Sequence, residues 1–229
     1  MHASPVQIDS LKSVGSQVAI LYGEAHGLVI EGFRTIIARR HRIIGAVRDG
    51  LDLVDAALRL KPDLVVLAIS LPRLNGIEAA RLIKTKLPKT RILFLTRHDG
   101  ARYIQAAMAA GGDGYLLKSD DPQCVLEAIR KVMAGQVYLS PQLSAEYLSH
   151  RRRPEEVAGK LQLSTRERQV LQQIAEGYSA KEVAWALRIS VKTVSFHREN
   201  IKRKLGVRST ADLTRRAMEL GLTSPPESA

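Results

Sequence analysis

A basic stretch near the C-terminus carries side chains that could contact nucleic acid. Between residues 191 and 205, Val194, Ile201 and Leu205 recur at helical spacing, which predicts that they face a hydrophobic core. The other faces of this predicted helix carry cationic, hydroxyl and imidazole groups, at Lys192, Thr193, Ser195, His197, Arg198, Lys202 and Lys204. Such groups bind phosphate oxygens and base edges. Charge alone also fits a solvated face of a helical bundle, so both interpretations stay open at this point.

Residues for catalysis or metal binding are sparse. No second His, Cys or paired carboxylate stands near His197 to complete a metal or acid–base site, which favours backbone contact or packing for this residue. The single cysteine, Cys124, excludes an internal disulfide or a multi-cysteine zinc site and is expected to pack as a small hydrophobic residue. We therefore expect no enzyme, no bound metal and no cofactor.

Two short predicted helices must position the basic stretch. Segments 180–187 and 191–205 are separated by a tight turn, and such a pair projects its second helix outward, where it can lie in a major groove. Further helices are predicted at 165–176 and 209–220. Ser164 with Glu167 three residues later is a capping-box signal for the start of the first of these.

The preceding part of the chain, from about residue 17 to 135, alternates short apolar runs with amphipathic segments. The runs predict strands, at 18–22, 43–47, 64–68, 92–95 and 114–117, and the intervening segments predict helices, at 28–40, 53–59, 76–86, 101–110 and 122–134. This alternation is typical of βα units around a parallel sheet. The predicted fold is α/β, a doubly wound, flavodoxin-like, five-stranded parallel sheet, followed by an all-α four-helix domain.

Charge composition and a charged, proline-containing segment indicate the partner class and the domain boundaries. The net charge of +12 favours a polyanionic partner such as nucleic acid. Segment 149–156 is polar, highly charged and broken by Pro154, and its Arg151–Arg153 run is expected to keep a linker solvated rather than to add phosphate contacts. We predict flexible tails at 1–16 and 224–229, domains at 17–141 and 160–223, and a linker at 142–159. No stretch is long and apolar enough to cross a bilayer, so a cytoplasmic protein without a membrane partner is expected.

The C-terminal segment resembles the LuxR-type helix-turn-helix over about residues 160–222. The resemblance is carried by LSTRERQVL at 163–171, IAEG at 174–177, KEVA at 181–184, ISVKTV at 189–194, HRENI at 197–201 and KLGV at 204–207. It implies a helix-turn-helix over 180–199, with 191–205 as the recognition helix. Ser195 stands where many relatives carry lysine, so one contact is expected to be missing or weaker. The implied DNA-contacting residues are Lys181, Lys192, Thr193, Ser195, Phe196, His197, Glu199, Asn200, Lys202, Arg203 and Lys204.

Residues 17–141 resemble the receiver domain of NarL/FixJ response regulators. The resemblance rests on EGFR at 31–34, KPDL at 61–64, ISLP at 69–72, NG at 75–76, LT at 95–96 and GYLLK at 114–118. In that family an acidic pair holds Mg²⁺, an aspartate after the third strand accepts a phosphoryl group, and a threonine and a lysine sense the new charge.

The resemblance implies a degenerate pocket in this sequence. The acidic pair falls at Glu24 and Ala25, the phosphoacceptor at Ala68, and the sensing positions at Thr96, Tyr115 and Lys118. Alanine has no oxygen to attack phosphorus, and a single carboxylate is a poor Mg²⁺ site.

Two roles remain open for the surviving sensing residues. They serve a switch driven by something other than phosphate, or they pack in a frozen domain. We expect a receiver that is fixed in one conformation or is switched by a signal other than phosphate. Glu24 is expected to replace aspartate as the partner of Lys118, because an unpaired buried ammonium is costly. Asp63 and Ser70 are unfavourably placed to accept phosphate instead.

The predicted function is sequence-specific DNA binding that controls transcription independently of phosphorylation, by a homodimer on two half-sites of duplex DNA. A protein partner or a small ligand at the receiver is the expected source of control. The alternatives are an interaction protein acting mainly through the receiver, and a regulator phosphorylated at a non-standard residue.

Overall fold

The computed structural model describes residues 17–143 and 163–223. The predictions for the 1–16 and 224–229 tails, and for the linker beyond residue 143 with its arginine run, lie outside these residues. Leu143, at the start of the predicted linker, is buried against the core of the N-terminal domain.

The N-terminal domain is a parallel sheet covered by helices. Its elements are β1 (Ala19–Gly23), α1 (Gly27–Ile37), β2 (Arg42–Val47), α2 (Gly50–Leu60), β3 (Leu64–Leu67), α3 (Gly76–Lys86), β4 (Arg91–Thr96), α4 (Ala101–Ala109), β5 (Gly114–Leu117), α5 (Pro122–Met133) and β6 (Tyr138–Leu139). The strand order is β2-β1-β3-β4-β5-β6, and every neighbouring pair is parallel. The predicted parallel α/β fold is confirmed. A sixth strand was not predicted, because two residues are too few to show a periodic pattern.

Two hydrophobic clusters lie on opposite faces of this sheet. Leu53 of α2, Ile83 of α3 and Ile104 of α4 pack on one face, whereas Phe33 of α1 and Ile129 of α5 pack on the other. Alternate strand residues point to opposite faces of the sheet, and helices cover both faces. This explains why the runs at 64–68 and 92–95 are apolar throughout.

Local capping decides where several helices begin. Asp49 accepts hydrogen bonds from the backbone N–H groups of Leu51 and Asp52, so α2 begins at Gly50, three residues before the apolar periodicity predicted. Asn75 caps α3 in the same way through the N–H of Glu78. Side chains that accept hydrogen bonds from the N–H groups of the first turn thus allow a helix to begin before its apolar stripe.

The C-terminal domain is helical, as predicted, with α6 (Thr165–Ala175), α7 (Ala180–Leu187), α8 (Val191–Leu205) and α9 (Thr210–Glu219). Serines 164, 179, 190 and 209 cap the four helices, and all but Ser190 belong to a capping box. The core of this domain joins Val170 and Leu171 of α6 to Val183 of α7, Ile201 of α8 and Leu213 of α9.

Candidate functional site

The second helix of the helix-turn-helix pair, α8, has one face in the core and the opposite face in solvent. Val194, Ile201 and Leu205 are buried, as their spacing predicted. Arg188, in the left-handed conformation, ends α7, and Ser190 caps α8, so three residues turn the chain between the helices. The residues opposite the buried row are exposed, and they are Lys192, Ser195, Phe196, Glu199 and Arg203.

The remaining predicted contact residues flank this exposed row. Four of them are half-buried, namely Thr193, His197, Asn200 and Lys202, while Lys181 is exposed at the start of α7. Lys202 Nζ lies 3.3 Å from Glu199 Oε1, and Arg203 donates to Asn200 Oδ1 at 2.8 Å. These intrahelical pairs keep the long side chains along the exposed face of α8.

Two basic residues of α8 are instead engaged with neighbouring helices. Lys204 Nζ lies 2.7 Å from Oε2 of Glu167, a buried residue of α6 whose carboxylate also closes a capping box. Arg198 donates to Thr210 Oγ1 at 2.7 Å and so links α8 to α9. From helical spacing alone, Arg198 and Lys204 were predicted only to lie away from the core-facing row. Their partners on other helices could not be predicted, because such contacts leave no pattern within α8.

Residues just beyond α8 extend the cationic surface, and sequence reasoning missed them. Gly206 ends α8 with a φ of 65° and turns the chain so that Arg208 shares a surface cavity of about 500 Å³ with Lys202 and Arg203. Trp185 on α7 is 85% exposed and was not predicted either. Arg208 could have been predicted from the sequence, because it follows the helix-ending glycine, Gly206, by two positions.

In the N-terminal domain, a buried carboxylate lies at the end of β1. Glu24 is fully buried, with Oε2 2.6 Å from Lys118 Nζ and Oε1 2.6 Å from His26 Nδ1. The backbone N–H of His26 also donates to Oε1 at 3.0 Å. Burial opposes ionisation of this carboxyl, but the hydrogen bonds from Lys118 and His26 and the charge of Lys118 outweigh burial and hold the pKa of Glu24 below its ordinary value.

The positions beside Glu24 offer no further oxygen from a side chain. Ala25 follows it in the chain, and Ala68 directly follows β3 and is 3% exposed. Mg²⁺ takes near-octahedral oxygen ligands and usually needs more than one carboxylate or phosphate oxygen. Because both oxygens of Glu24 already contact cationic or N–H groups, the residues present do not fit the Mg²⁺ site that a receiver implies.

The sensing positions are joined through the loop after β4. Thr96 is buried and its hydroxyl accepts a hydrogen bond from the N–H of His98 at 3.2 Å, while the Tyr115 hydroxyl donates to the His98 carbonyl at 2.7 Å. The His98 ring stacks on Tyr103, and its Nε2 lies 2.9 Å from Ser70 Oγ. Burial, reinforced by Arg97, lowers the pKa of His98.

The two oxygens considered as alternative phosphoacceptors lie at opposite ends of β3. Ser70 follows Ala68 by two residues and contacts His98. Asp63 precedes β3, and its carboxylate accepts the N–H of Ala19 at 2.9 Å. Only Ser70 is therefore near the pocket.

A glutamine of α6 joins the two domains next to this pocket. Gln172 is 1% exposed, its Oε1 accepts the N–H of Asn75 at 2.8 Å, and its Nε2 donates to the carbonyl of Leu71 at 3.0 Å. Arg168 of α6 lies 2.7 Å from the buried carboxylate of Glu78 on α3. The domains therefore meet through α6 and the β3–α3 loop, whereas the Lys192–Arg203 face of α8 points to solvent.

Within residues 17–143 and 163–223, no group of three or more His, Cys, Asp or Glu side chains is placed to hold a metal ion. In the same ranges, no helix combines the length and the apolar character that a membrane span requires.

Comparisons with known proteins match both domains. The model of the response regulator receiver domain matches residues 20–130, and that of the bacterial regulatory proteins of the luxR family matches residues 161–217. The transcriptional regulatory protein MctR of Rhizobium johnstonii is 32% identical over 213 residues, covering 91% of this chain and 96% of MctR. The chain belongs to the response regulators with a LuxR-type helix-turn-helix domain.

Other relatives agree with this assignment. The oxygen regulatory protein NreC of Staphylococcus aureus is 31% identical, covering 87% of this chain and 96% of NreC. A LuxR-family two-component response regulator of Aurantimonas sp. SI85-9A1 is 32% identical, with a TM-score of 0.58 over 60% of this chain and 100% of that structure. The RcsB response regulator of Salmonella typhimurium, at 23% identity and a TM-score of 0.61 over 90% of this chain and 99% of its own, shares the fold.

The chain is thus a DNA-binding transcriptional regulator of the response-regulator family, as the motifs predicted. The relatives are transcriptional regulators rather than enzymes, which confirms the prediction that this chain is not an enzyme.

Proposed function

We propose that this regulator binds specific DNA sequences through α8 and does so independently of phosphorylation of its receiver. The observation that carries the second part is the ion pair between Glu24 and Lys118, 2.6 Å long, beside an alanine at the position assigned to the phosphoacceptor. The lysine that senses phosphate in relatives has a permanent carboxylate partner here. Its charge is balanced without a phosphoryl group, and the pocket does not fit Mg²⁺.

The DNA-binding part rests on the exposed face of α8, from Lys192 to Arg203, with Lys181 of α7 at its side. Cations in this arrangement bind backbone phosphates, and Ser195, Phe196 and Asn200 are of types that contact base edges or thymine methyl groups. A single recognition helix reads few bases, so we propose a homodimer on two half-sites. A solved structure with the same fold contains two RcsB dimers bound to two parallel DNAs, which supports the proposed homodimer.

Control of the regulator then comes from outside the phosphorylation pathway. A protein partner or a small ligand at the receiver would act through the β3–α3 loop, because Gln172 connects this loop to the DNA-binding domain.

The test uses the full-length chain with acetyl phosphate and Mg²⁺. Intact-mass spectrometry is expected to show no added phosphoryl group, and the binding curve on DNA fragments from the protein's own upstream region is expected to be unchanged. Arg203→Ala is expected to weaken binding to these fragments and to unrelated DNA alike, whereas Asn200→Ala is expected to reduce the preference for these fragments. A phosphoryl adduct that maps to Ser70 and strengthens DNA binding would instead establish the non-standard acceptor.

A further inference from the structure

The edge of the receiver sheet opposite the Glu24 pocket carries a concentration of exposed cations. Parallel strands begin at this edge, and the preceding helices end there, so their connecting loops lie side by side. We define the basic edge as seven exposed residues that lie in or next to the α1–β2, α2–β3 and α3–β4 connections, Arg39, Arg40, Arg42, Arg59, Lys61, Lys86 and Lys89.

The exposed carboxylate of Asp63 lies in the same connection as Lys61, so local acidic groups offset only part of this positive charge. Among the ion pairs of the described residues, none includes a member of the basic edge. The nearby carboxylate of Asp113 is already shared by Lys84, at 2.8 Å, and Arg91, at 2.7 Å. Burial lowers the pKa of His41, and the charge of Arg40 lowers it further, which is consistent with a positive potential at this edge.

Helix dipoles explain only a minority of these cations. Basic residues in the last turn of a helix offset its macrodipole, and this applies to Arg59 of α2 and Lys86 of α3. The other five residues lie beyond the helix ends, in the connections or at the first position of β2.

The basic edge has a defined shape. The α2–β3 and α3–β4 connections enclose a concavity of about 490 Å³ that includes Lys61, Lys86 and Lys89, and the Thr90 hydroxyl holds the two connections together by donating to the Pro62 carbonyl at 2.9 Å. Strands β2, β1, β3 and β4 are neighbours, so the edge spans three strand spacings of about 4.8 Å each, or about 14 Å. Duplex DNA presents one negative charge per about 1.7 Å of its axis, so a row of this length faces several phosphates.

We propose that the basic edge is a second DNA-contacting surface, which binds the phosphate backbone of a duplex without regard to its sequence. It lies at the end of the receiver away from the β3–α3 loop that contacts α6, so a chain bound to one site through α8 presents this edge to a second segment of DNA. The proposal goes beyond sequence-specific binding by α8 and does not depend on it.

The test isolates the basic edge in the full-length chain by disabling α8 with Lys192→Ala and Arg203→Ala. Fluorescence anisotropy with a duplex of unrelated sequence, over a range of salt concentrations, is expected to show residual salt-dependent binding. Adding Lys61→Gln and Lys89→Gln is expected to weaken this binding at least tenfold at low salt and to reduce the slope of log affinity against log salt by about 1.8, since each phosphate contact contributes about 0.9.

A matched pair removes the same charge elsewhere on the receiver. Arg34→Gln and Arg48→Gln change two exposed cations outside the basic edge, and they are expected to leave the salt slope unchanged. Equal effects of the two pairs would show that only net charge matters and would overturn the proposal, as would the absence of an effect of Lys61→Gln and Lys89→Gln.

A second measurement tests the two-segment arrangement with α8 intact. Energy transfer between a donor-labelled duplex from the upstream region and an acceptor-labelled unrelated duplex is expected with the unmodified chain and is expected to be lost with Lys61→Gln and Lys89→Gln. If α8 does not bind specific DNA, only the preference for the upstream duplex is lost. If the basic edge does not bind DNA, specific binding remains and energy transfer is absent in both proteins.

Discussion

The side-chain carbonyl of Gln172 on α6 accepts the backbone N–H of Asn75 at 2.8 Å, so a residue of the DNA-binding domain completes the loop before α3 of the receiver. The side chain of the same asparagine caps α3. The start of α3 is therefore stabilised from within the receiver and from the other domain.

Gln172→Ala is expected to lower the free energy of unfolding by about 2 kcal/mol, because it leaves the N–H of Asn75 and the carbonyl of Leu71 buried without their partner. Amide hydrogen exchange at Asn75 is expected to accelerate. Gln136→Ala, which changes an exposed glutamine of the receiver, is the control and is expected to change neither quantity. Unaltered exchange at Asn75 in the Gln172 variant would contradict a contact between the domains in solution.

The Glu24–Lys118 pair is expected to show strong energetic coupling. Glu24→Gln leaves the mostly buried Lys118 ammonium without its carboxylate and is expected to cost about 3 kcal/mol, and Lys118→Met is expected to cost a similar amount. The double variant is expected to lose at least 1 kcal/mol less than the sum of the single losses. Chemical denaturation of the four proteins measures this cycle, and additive losses would show that the two charges do not interact.

The same pair predicts how stability depends on pH. The folded-state pKa of Glu24 lies below its ordinary value of 4.5, so its contribution is present above that value and is lost as pH falls through the folded-state pKa. The difference in melting temperature between the unmodified protein and Glu24→Gln is therefore expected to be constant near neutral pH and to shrink on acidification below about 4.5. A difference that is constant down to pH 3 would mean that the pKa of Glu24 is the same in the folded and the unfolded chain.

Restoring the missing carboxylates is expected to restore Mg²⁺ binding. Ala25→Asp with Ala68→Asp places two carboxylates beside Glu24, which is expected to destabilise the receiver by charge repulsion without a metal and to make its melting temperature rise on addition of Mg²⁺. The unmodified chain is the control, with no response to Mg²⁺ expected. Phosphorylation by acetyl phosphate is expected only in the restored variant. A Mg²⁺ response of the unmodified chain would contradict the proposal that the internal ion pair makes the regulator independent of phosphorylation.

Two lysines of α8 are expected to have different roles. Lys204→Ala removes the partner of buried Glu167 and is expected to cost about 1–2 kcal/mol of stability with little change in DNA affinity. Lys192→Ala is expected to leave stability unchanged and to reduce the salt slope of DNA binding by about 0.9. Thermal denaturation and anisotropy on both variants separate these roles, and a reduced salt slope for Lys204→Ala would return it to the DNA-contacting surface.

The sequence by itself determined the order of the elements and the face of α8 that enters the core. Runs such as Leu64–Leu67 and the spacing of Val194, Ile201 and Leu205 are local patterns, and burial follows directly from them. The sequence likewise shows that residue 68 is an alanine, which has no side-chain oxygen. Each of these features depends on residue type and on separations of a few positions.

Only the tertiary structure decided which groups meet across the fold. Glu24 and Lys118 end strands that are not neighbours in the sheet, Glu167 and Lys204 lie on different helices, and Gln172 reaches Asn75 across 97 positions of the chain. The basic edge is also assembled from three connections that lie far apart in sequence. Contacts of this kind follow from how helices and strands pack against one another, and periodicity within a single element carries no information about them.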